Sequence, residues 1–180
     1  MSDGKKYDVL YIDVPWRYES GTTMKRWSIE EHYKTMTLDD IMSLRPMIDE
    51  LAAPDCVLYL WTTAPKLLQA CRVIEAWAFN YRSNLVWHKS GLGMGHWARI
   101  DHEHLLIAVR GKPGTPPDTA LESSVFELQK GRHSEKPDYF RGYIERCFPQ
   151  ARRIELFARD KVPGWDVHGL EAPKFDTYLF

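Results

Sequence analysis

The sequence predicts an α/β fold in which a mainly parallel β-sheet is covered by helices on both faces. Short runs of β-branched and aromatic residues alternate with helical segments along the 180 residues, as they do in parallel sheets. A glycine-rich segment at residues 90–101 joins two apolar runs without an intervening helix, which predicts one antiparallel excursion. Repeats and long linkers are absent from the sequence, so we expect a single domain over residues 1–180.

The first half of the chain begins with a predicted strand at residues 7–14, which Pro15 ends because proline cannot donate to a strand ladder. Polar residues 17–37 form a loop that allows a short helix around residues 29–33. Thr37 is the predicted N-cap of a helix over residues 38–52, since its hydroxyl can accept an amide hydrogen. Asp39 and Asp40 suit the positive end of that helix.

The remaining elements follow from apolar runs and from proline positions. Pro65 and Pro137 each suit the first turn of a helix, which predicts helices over residues 66–78 and 138–148. The predicted strands occupy residues 56–63, 81–88, 102–111, 124–128 (a weak strand) and 151–158.

Charge and cysteine content exclude several classes of protein. The chain has 24 Lys and Arg against 25 Asp and Glu, so bulk charge does not hold it on a polyanion. The longest apolar runs are shorter than the roughly 18 residues that span a bilayer. The three cysteines lie far apart, which favours reduced thiols, and the first residues lack a secretory pattern. We therefore expect a cytoplasmic protein.

Ligands of such sheets bind beyond the carboxyl ends of the strands, which draws attention to residues 13–16. The Asp13 carboxylate and the Val14 carbonyl can accept both hydrogens of an exocyclic amine, and Trp16 after Pro15 can stack on its ring. Such contacts would hold the amine in line with an electrophile. The alternative is that no ligand binds here: Asp13 is then an ordinary residue at the end of a strand, Pro15 forms a turn and Trp16 packs in the core.

The Asp-Val-Pro-Trp string resembles the DPPW signature of the adenine-N6 methyltransferase family, whose best-known member is the catalytic subunit of the messenger-RNA m6A writer. The resemblance continues in order through six blocks at residues 32–41, 58–65, 84–111, 131–149, 152–160 and 163–172. It implies a Rossmann-like methyltransferase fold with permuted motif order, S-adenosyl-L-methionine as the methyl donor and adenine in nucleic acid as the acceptor. DNA is favoured over RNA, because short bacterial and phage members are the most similar in length.

The same resemblance implies cofactor contacts. Asp13 would lie between the target amine and the methionine part of the cofactor, and Lys136 would contact the cofactor carboxylate. Lys136 precedes Pro137 at a helix start, where its charge suits an anion. The further cofactor contacts implied by the resemblance are Arg159, Lys161 and Glu171.

The resemblance also implies contacts to the target base. Tyr33 matches an aromatic of the loop after the signature, Trp61 borders the adenine pocket, and Glu103 lies near the base. His96 and Trp97 match a loop of the active site. Phosphate contacts are expected from basic residues that flank this site: Arg17, Lys25, Arg26, Lys34, Arg99, Lys130 and Arg132.

Two departures from the family pattern leave an alternative open. Val14 replaces the first proline of the signature and loses its fixed backbone angle, and Leu170 replaces an asparagine that can hydrogen-bond. The alternative is a non-catalytic, nucleic-acid-binding partner subunit of the same fold, and a partner subunit or a homodimer is compatible with either function. A metal-dependent hydrolase using His102 and His104, with Asp101 or His133, is a third hypothesis, although no metal is expected.

Overall fold

The computed structural model describes residues 4–18, 35–91, 93, 95, 97–131, 135–158 and 160–168. Its strands are β1 Tyr7–Ile12, β2 Ala52–Thr63, β3 Asn80–His88, β4 His102–Arg110, β5 Val125–Glu127, β6 Arg153–Leu156 and β7 Asp166–His168. Its helices are α1 Leu38–Met42, α2 Arg45–Leu51, α3 Leu67–Ala76 and α4 Tyr139–Cys147, with single 3₁₀ turns at Ala64–Lys66 and Asp118–Ala120.

All of these strands join one sheet in the order β5-β3-β4-β2-β1-β6-β7. Strand β4 is antiparallel to both β2 and β3, whereas the other neighbouring pairs are parallel. The predicted α/β class, the mainly parallel sheet and the antiparallel excursion are therefore confirmed. Because β4 runs backwards, its amino end lies at the same edge of the sheet as the carboxyl ends of the other strands.

The sheet separates two hydrophobic cores. Alternate residues of β1 point to opposite faces, so Leu10 and Ile12 pack with α1, α2 and α3, whereas Val9 and Tyr11 pack with α4. Trp77 and Trp87 are buried, and Trp165 is 3% exposed in the core beneath α4.

This arrangement creates a topological switch point beside β1. The chain leaves β1 for β2 on one side and later returns to β6 on the other, with the connecting helices on opposite faces of the sheet. Open α/β sheets bind ligands in the crevice that such a reversal leaves beyond the carboxyl ends of the strands. The residues that follow Ile12 are placed at that crevice.

Several boundaries differ from the sequence prediction. The helix expected over residues 38–52 is two helices, because Pro46 lacks an amide hydrogen and is accommodated in the first turn of α2. Thr37 caps α1 as predicted, in a reciprocal capping box with Asp40. Strand β2 begins at Ala52 rather than at residue 56. The register between β1 and β2 shifts between Tyr7 and Val9, which accommodates Pro54 of β2.

The edge strand β7 is missing from the sequence prediction. It has three residues with a single buried apolar side chain, Val167, which is too short to produce an alternating pattern. None of the described helices is long and apolar enough to cross a membrane.

Candidate active site at the carboxyl edge of the sheet

The chain turns sharply directly after β1. The Trp16 amide donates to the Val14 carbonyl at 2.9 Å, which makes Pro15 the centre of a three-residue turn. Met36 holds this turn from outside: its amide donates to the Pro15 carbonyl at 2.8 Å, and its carbonyl accepts from the Arg17 amide at 3.0 Å. Three backbone hydrogen bonds thus fix the turn although Val14 stands in place of the first proline of the signature.

Two side chains of the turn are buried rather than open to a ligand. Val14 is 2% exposed and Trp16 is 7% exposed within the core that α1, α2 and α3 cover. The Trp16 indole donates to the Trp61 carbonyl at 3.3 Å. The Trp16 ring is therefore not open for stacking on a base in this structure, because the Met36 bridge turns the chain back over the core and the indole anchors the turn to β2.

Asp13 is the polar residue of the turn, and it forms an ion pair with a residue far along the chain. Lys136 Nζ lies 2.6 Å from Asp13 Oδ2 and 3.5 Å from Glu103 Oε2. The Lys136 side chain is only 10% exposed, compared with 34% for Asp13. The structure therefore brings three sequence-predicted residues, Asp13, Glu103 and Lys136, together at the carboxyl edge of the sheet.

A fourth charge completes the group, and the sequence prediction missed it. Lys89 Nζ lies 2.6 Å from Glu103 Oε1, and these two side chains are 20% and 14% exposed. Lys89 follows β3 directly and Glu103 lies near the start of β4, so the β3–β4 ladder sets them side by side. A sequence prediction that paired residues 88 and 102 across this antiparallel connection would have placed Lys89 beside Glu103.

Charge pairing, and not burial, dominates the ionisation of this group. Burial by itself raises the pKa of Glu103, but Lys136 and Lys89 outweigh burial and hold that pKa below its usual value. Burial likewise opposes the charge on Lys136, yet Asp13 and Glu103 raise its pKa above the usual value. Glu103 and Lys136 are therefore both charged at neutral pH.

Buried aromatic residues pack beneath these charged side chains. Trp61 is fully buried, its indole donates to the Tyr11 hydroxyl at 2.7 Å, and Lys136 Nζ lies 5.5 Å from the centroid of its ring. In this structure Trp61 is thus a core residue that supports Lys136. Below it, Arg141 pairs with Glu155 through two hydrogen bonds of 2.7 and 3.0 Å.

Tyr18 is a second residue that the sequence prediction missed. Its hydroxyl lies 2.6 Å from Thr63 Oγ1, which connects the segment after β1 to the end of β2. Burial is the main reason why the pKa of Tyr18 is raised, and Glu103, Lys136 and Asp13 all lie close enough to influence it. Tyr18 is therefore a neutral hydroxyl beside the charged group.

The other predicted contacts divide into three sets. Trp97 is fully exposed in the loop between β3 and β4, and the basic residues Arg17, Arg99 and Lys130 are exposed as well. Lys161 lies between the parallel strands β6 and β7 in the sequence and does not join the charged group. Lys161 instead lines a groove of about 600 Å³ beside Arg152 and Asp166, near the amino ends of those strands. The predicted residues outside the described part of the chain are Lys25, Arg26, Tyr33, Lys34, His96, Arg132, Arg159, Leu170 and Glu171.

The histidines do not form a metal site within the described residues. His102 and His104 lie edge to face with ring centroids 5.0 Å apart, and His102 Nδ1 lies 3.3 Å from Asp101 Oδ1. Groups of three or more side chains that could hold a metal ion are absent from this part of the chain. The metal-hydrolase hypothesis therefore has no support there.

The described charges suit a zwitterionic ligand next to an amine. Lys136 offers an ammonium to a carboxylate, Asp13 offers a carboxylate to an ammonium or an amine, and both lie at the switch point of the sheet. The residues present thus fit the amino-acid part of S-adenosyl-L-methionine.

Several known proteins are similar to this chain in sequence. The MT-A70 family profile matches residues 7–171. The Type II methyltransferase M.MunI of Mycoplasma sp is 31% identical, and the match covers 94% of this chain and 79% of that protein. The N(6)-adenosine-methyltransferase catalytic subunit METTL3 of Homo sapiens is 28% identical over 91% of this chain. The match spans only 28% of the human protein, and 23% of a 26% identical MT-A70-like N(6)-adenosine-methyltransferase of Arabidopsis thaliana.

Proposed function

This chain belongs to the MT-A70 family, and from that premise we propose that it transfers a methyl group from S-adenosyl-L-methionine to the N6 amine of adenine in nucleic acid. The chain is a methyltransferase by family, and MT-A70 methyltransferases use S-adenosyl-L-methionine in general. We propose that residues 1–180 include a single methyltransferase domain and that the protein is cytoplasmic.

The ion pair between Asp13 and Lys136 is the observation that carries this proposal. It places a carboxylate at the end of β1, within a turn that three backbone hydrogen bonds hold, at the switch point of the sheet. An enzyme accelerates a direct transfer between two bound molecules by holding the reacting groups in one orientation. In this proposal Asp13 holds the target amine.

The cofactor would be held by its amino-acid part. Lys136 would bind its carboxylate and Asp13 its ammonium group, while Arg159, Lys161 and Glu171 are further contacts that we propose from the family resemblance. When bound, the cofactor supplies an electrophilic methyl group. Lys161 lines the groove near the amino ends of β6 and β7, apart from the charged group that contains Lys136.

The turn after β1 would orient the target amine. Asp13 Oδ1 and the second lone pair of the Val14 carbonyl accept its two hydrogens, since the first lone pair of that carbonyl already accepts the Trp16 amide. Both N–H bonds then lie in the plane of the two acceptors. The nitrogen lone pair that receives the methyl group points out of that plane. Asp13 can take up the proton that the nitrogen loses as it gains the methyl group.

The base must leave the nucleic-acid stack to reach this site, and exposed aromatic and basic residues suit that step. Trp97 offers a ring on which a base can stack, and Arg17, Arg99 and Lys130 offer charges to phosphates. We propose Tyr33, His96 and Glu103 as further base contacts from the family resemblance, whereas the fully buried Trp61 supports Lys136 and does not contact the base. The formal net charge of −1 favours release of the product after each turnover.

DNA is the preferred substrate in this proposal. The chain is comparable in length to the Type II methyltransferase M.MunI, of which it spans 79%, whereas it spans 28% of human METTL3. We propose that its own loops, a second copy or a partner subunit contribute to sequence specificity.

Transfer of a tritiated methyl group from S-adenosyl-L-methionine tests the function and the substrate class together. Matched single-stranded DNA, duplex DNA and RNA of one sequence are methylated in parallel and digested to nucleosides, and the labelled nucleoside is identified. We expect N6-methyldeoxyadenosine from at least one DNA form, with less label on RNA. Label on RNA alone would refute the preference for DNA. Transfer to none of the three, together with undetectable cofactor binding, would support the non-catalytic partner subunit instead.

A further inference from the structure

Lys89 lies at the outer end of a row of alternating charges. Its ammonium is 2.6 Å from Glu103 Oε1, the other oxygen of Glu103 faces Lys136 at 3.5 Å, and Lys136 reaches Asp13 at 2.6 Å. We call Lys89, Glu103, Lys136 and Asp13 the charge row. Lys89 is the member of this row to which neither the family resemblance nor the proposed mechanism gives a role.

Three contacts fix Lys89 in its place. Its backbone amide donates to the Asp101 carbonyl at 2.6 Å, which continues the β3–β4 pairing by one step beyond His88. Its ammonium lies 5.1 Å from the centroid of the Trp87 ring, in addition to the pair with Glu103. The Lys89 side chain is 20% exposed, so its charge is only partly screened by water.

The two oxygens of Glu103 have separate partners. Lys89 holds Oε1 and Lys136 faces Oε2, so the carboxylate cannot rotate without breaking a contact. We propose that Lys89 is a positioning residue for the methyl transfer, which orients Glu103 so that Lys136 stays between Glu103 and Asp13. This inference rests on the proposed function, because Asp13 and Lys136 are its amine-orienting and cofactor-binding residues.

Removal of the Lys89 charge would redistribute the row. Glu103 is 14% exposed, and of the two cations placed on it in the described structure only Lys136 would remain. A carboxylate this deeply buried attracts its last counter-charge strongly. Lys136 would move toward Glu103 and away from Asp13, so Asp13 would lose the contact that fixes it.

The pH dependence of the row follows from the groups that face Glu103. These are Lys89 after β3, Lys136 before α4 and Tyr18 after β1, with Asp13 beyond Lys136. Burial raises the pKa of Glu103, and Lys136 and Lys89 together outweigh it. Loss of the Lys89 charge therefore raises the pH at which Glu103 takes up a proton.

The Glu103 titration is measured without reference to activity. Protein labelled with carboxyl-¹³C glutamate is titrated by NMR, and the Glu103 signal is assigned by its loss in Glu103→Gln. Lys89→Met keeps the aliphatic stem on Trp87, so it tests the charge and not the packing. We expect the Glu103 midpoint to rise by about one pH unit in Lys89→Met and to return toward the wild-type value in Lys89→Arg.

The pH profile of methyl transfer is measured on the same variants. We expect kcat of Lys89→Met to fall by about 10- to 100-fold and the acidic limb of its profile to move to higher pH, with recovery in Lys89→Arg. Lys112→Met is the matched control, since Lys112 is exposed beyond the opposite end of β4. It should leave both the profile and the Glu103 midpoint unchanged.

The two measurements separate failure of this inference from failure of the proposed function. An unchanged Glu103 midpoint in Lys89→Met overturns the coupling, and a shifted midpoint with a wild-type rate profile overturns the positioning role. If wild-type protein methylates none of the nucleic acids, the proposed function and the role of Lys89 in methyl transfer fail together. The midpoint then still decides whether Lys89 orients Glu103.

Discussion

The Lys136 ammonium lies 2.6 Å from the Asp13 carboxylate although the two residues are 123 positions apart in the sequence. The contact joins the turn after β1 to the segment that leads into α4, on the face of the sheet that α4 covers. It places the Asp13 carboxylate and the Lys136 ammonium side by side at the carboxyl edge of the sheet, and the first prediction concerns Lys136.

Replacement of Lys136 by methionine should weaken cofactor binding. A hydrogen bond to a charged group contributes about 1.5–3 kcal/mol, which corresponds to a rise in Kd of about 10- to 150-fold. Isothermal titration with S-adenosyl-L-methionine measures it, with Lys112→Met as a control of equal size and charge change. An equal Kd for Lys136→Met and wild type would show that Lys136 does not hold the cofactor carboxylate.

The charge row should also shape the acid stability of the protein. The folded-state pKa of Glu103 is lower than the unfolded value of 4.5, so its ionisation contributes stability above 4.5 that is lost as the pH falls through the folded value. The free energy of unfolding by urea, measured from neutral pH to well below 4.5, should fall less steeply in Glu103→Gln than in wild type. Parallel curves for the two proteins would contradict the pairing of Glu103 with Lys89 and Lys136.

The buried pair below the site should contribute far more to stability than an exposed pair on the same helix. The Arg141 and Glu155 side chains are 14% and 9% exposed, and removal of one partner leaves a buried charge unpaired. Arg141→Met should therefore lower the free energy of unfolding by about 3 kcal/mol, measured by urea denaturation at neutral pH.

Arg146 on α4 provides the matched control for this prediction. It pairs with Glu122, and these side chains are 48% and 35% exposed, so Arg146→Met should cost less than about 1 kcal/mol. Adding Glu155→Gln to Arg141→Met should restore part of the loss, because the unpaired charge is then removed as well. Equal losses for Arg141→Met and Arg146→Met would rule out a special contribution from the buried pair.

The strands and the class of fold were predictable from the sequence because their apolar runs are local signals. The boundaries of the elements were less predictable, because they depend on long-range pairing. Ala52 joins β2 through its partner Tyr7, and β7 forms a strand only because it pairs with β6. The division of the helix at Pro46 was available from the sequence, since proline disfavours a helix interior and suits a first turn.

The site was predictable where a motif marked it and not where tertiary contacts decided it. Asp13 and Lys136 follow from family blocks, and the structure brings them together. Lys89 lies in no motif of known role, and its contact with Glu103 arises from the register of two antiparallel strands. The burial of Trp16 depends on the bridge to Met36, which joins two segments that the sequence separates by a long loop.

Methyl transfer by the Asp13→Ala variant tests the central claim most directly. Wild-type protein and the variant are compared under single-turnover conditions with tritiated S-adenosyl-L-methionine and an adenine-containing DNA, and far-ultraviolet circular dichroism shows whether the variant is folded. We predict N6-methyladenine from the wild type and a rate at least about 100-fold lower from the folded variant, because the amine loses the group that orients it. Near-normal turnover by Asp13→Ala would contradict the assignment of Asp13 and of the turn after β1 as the catalytic centre.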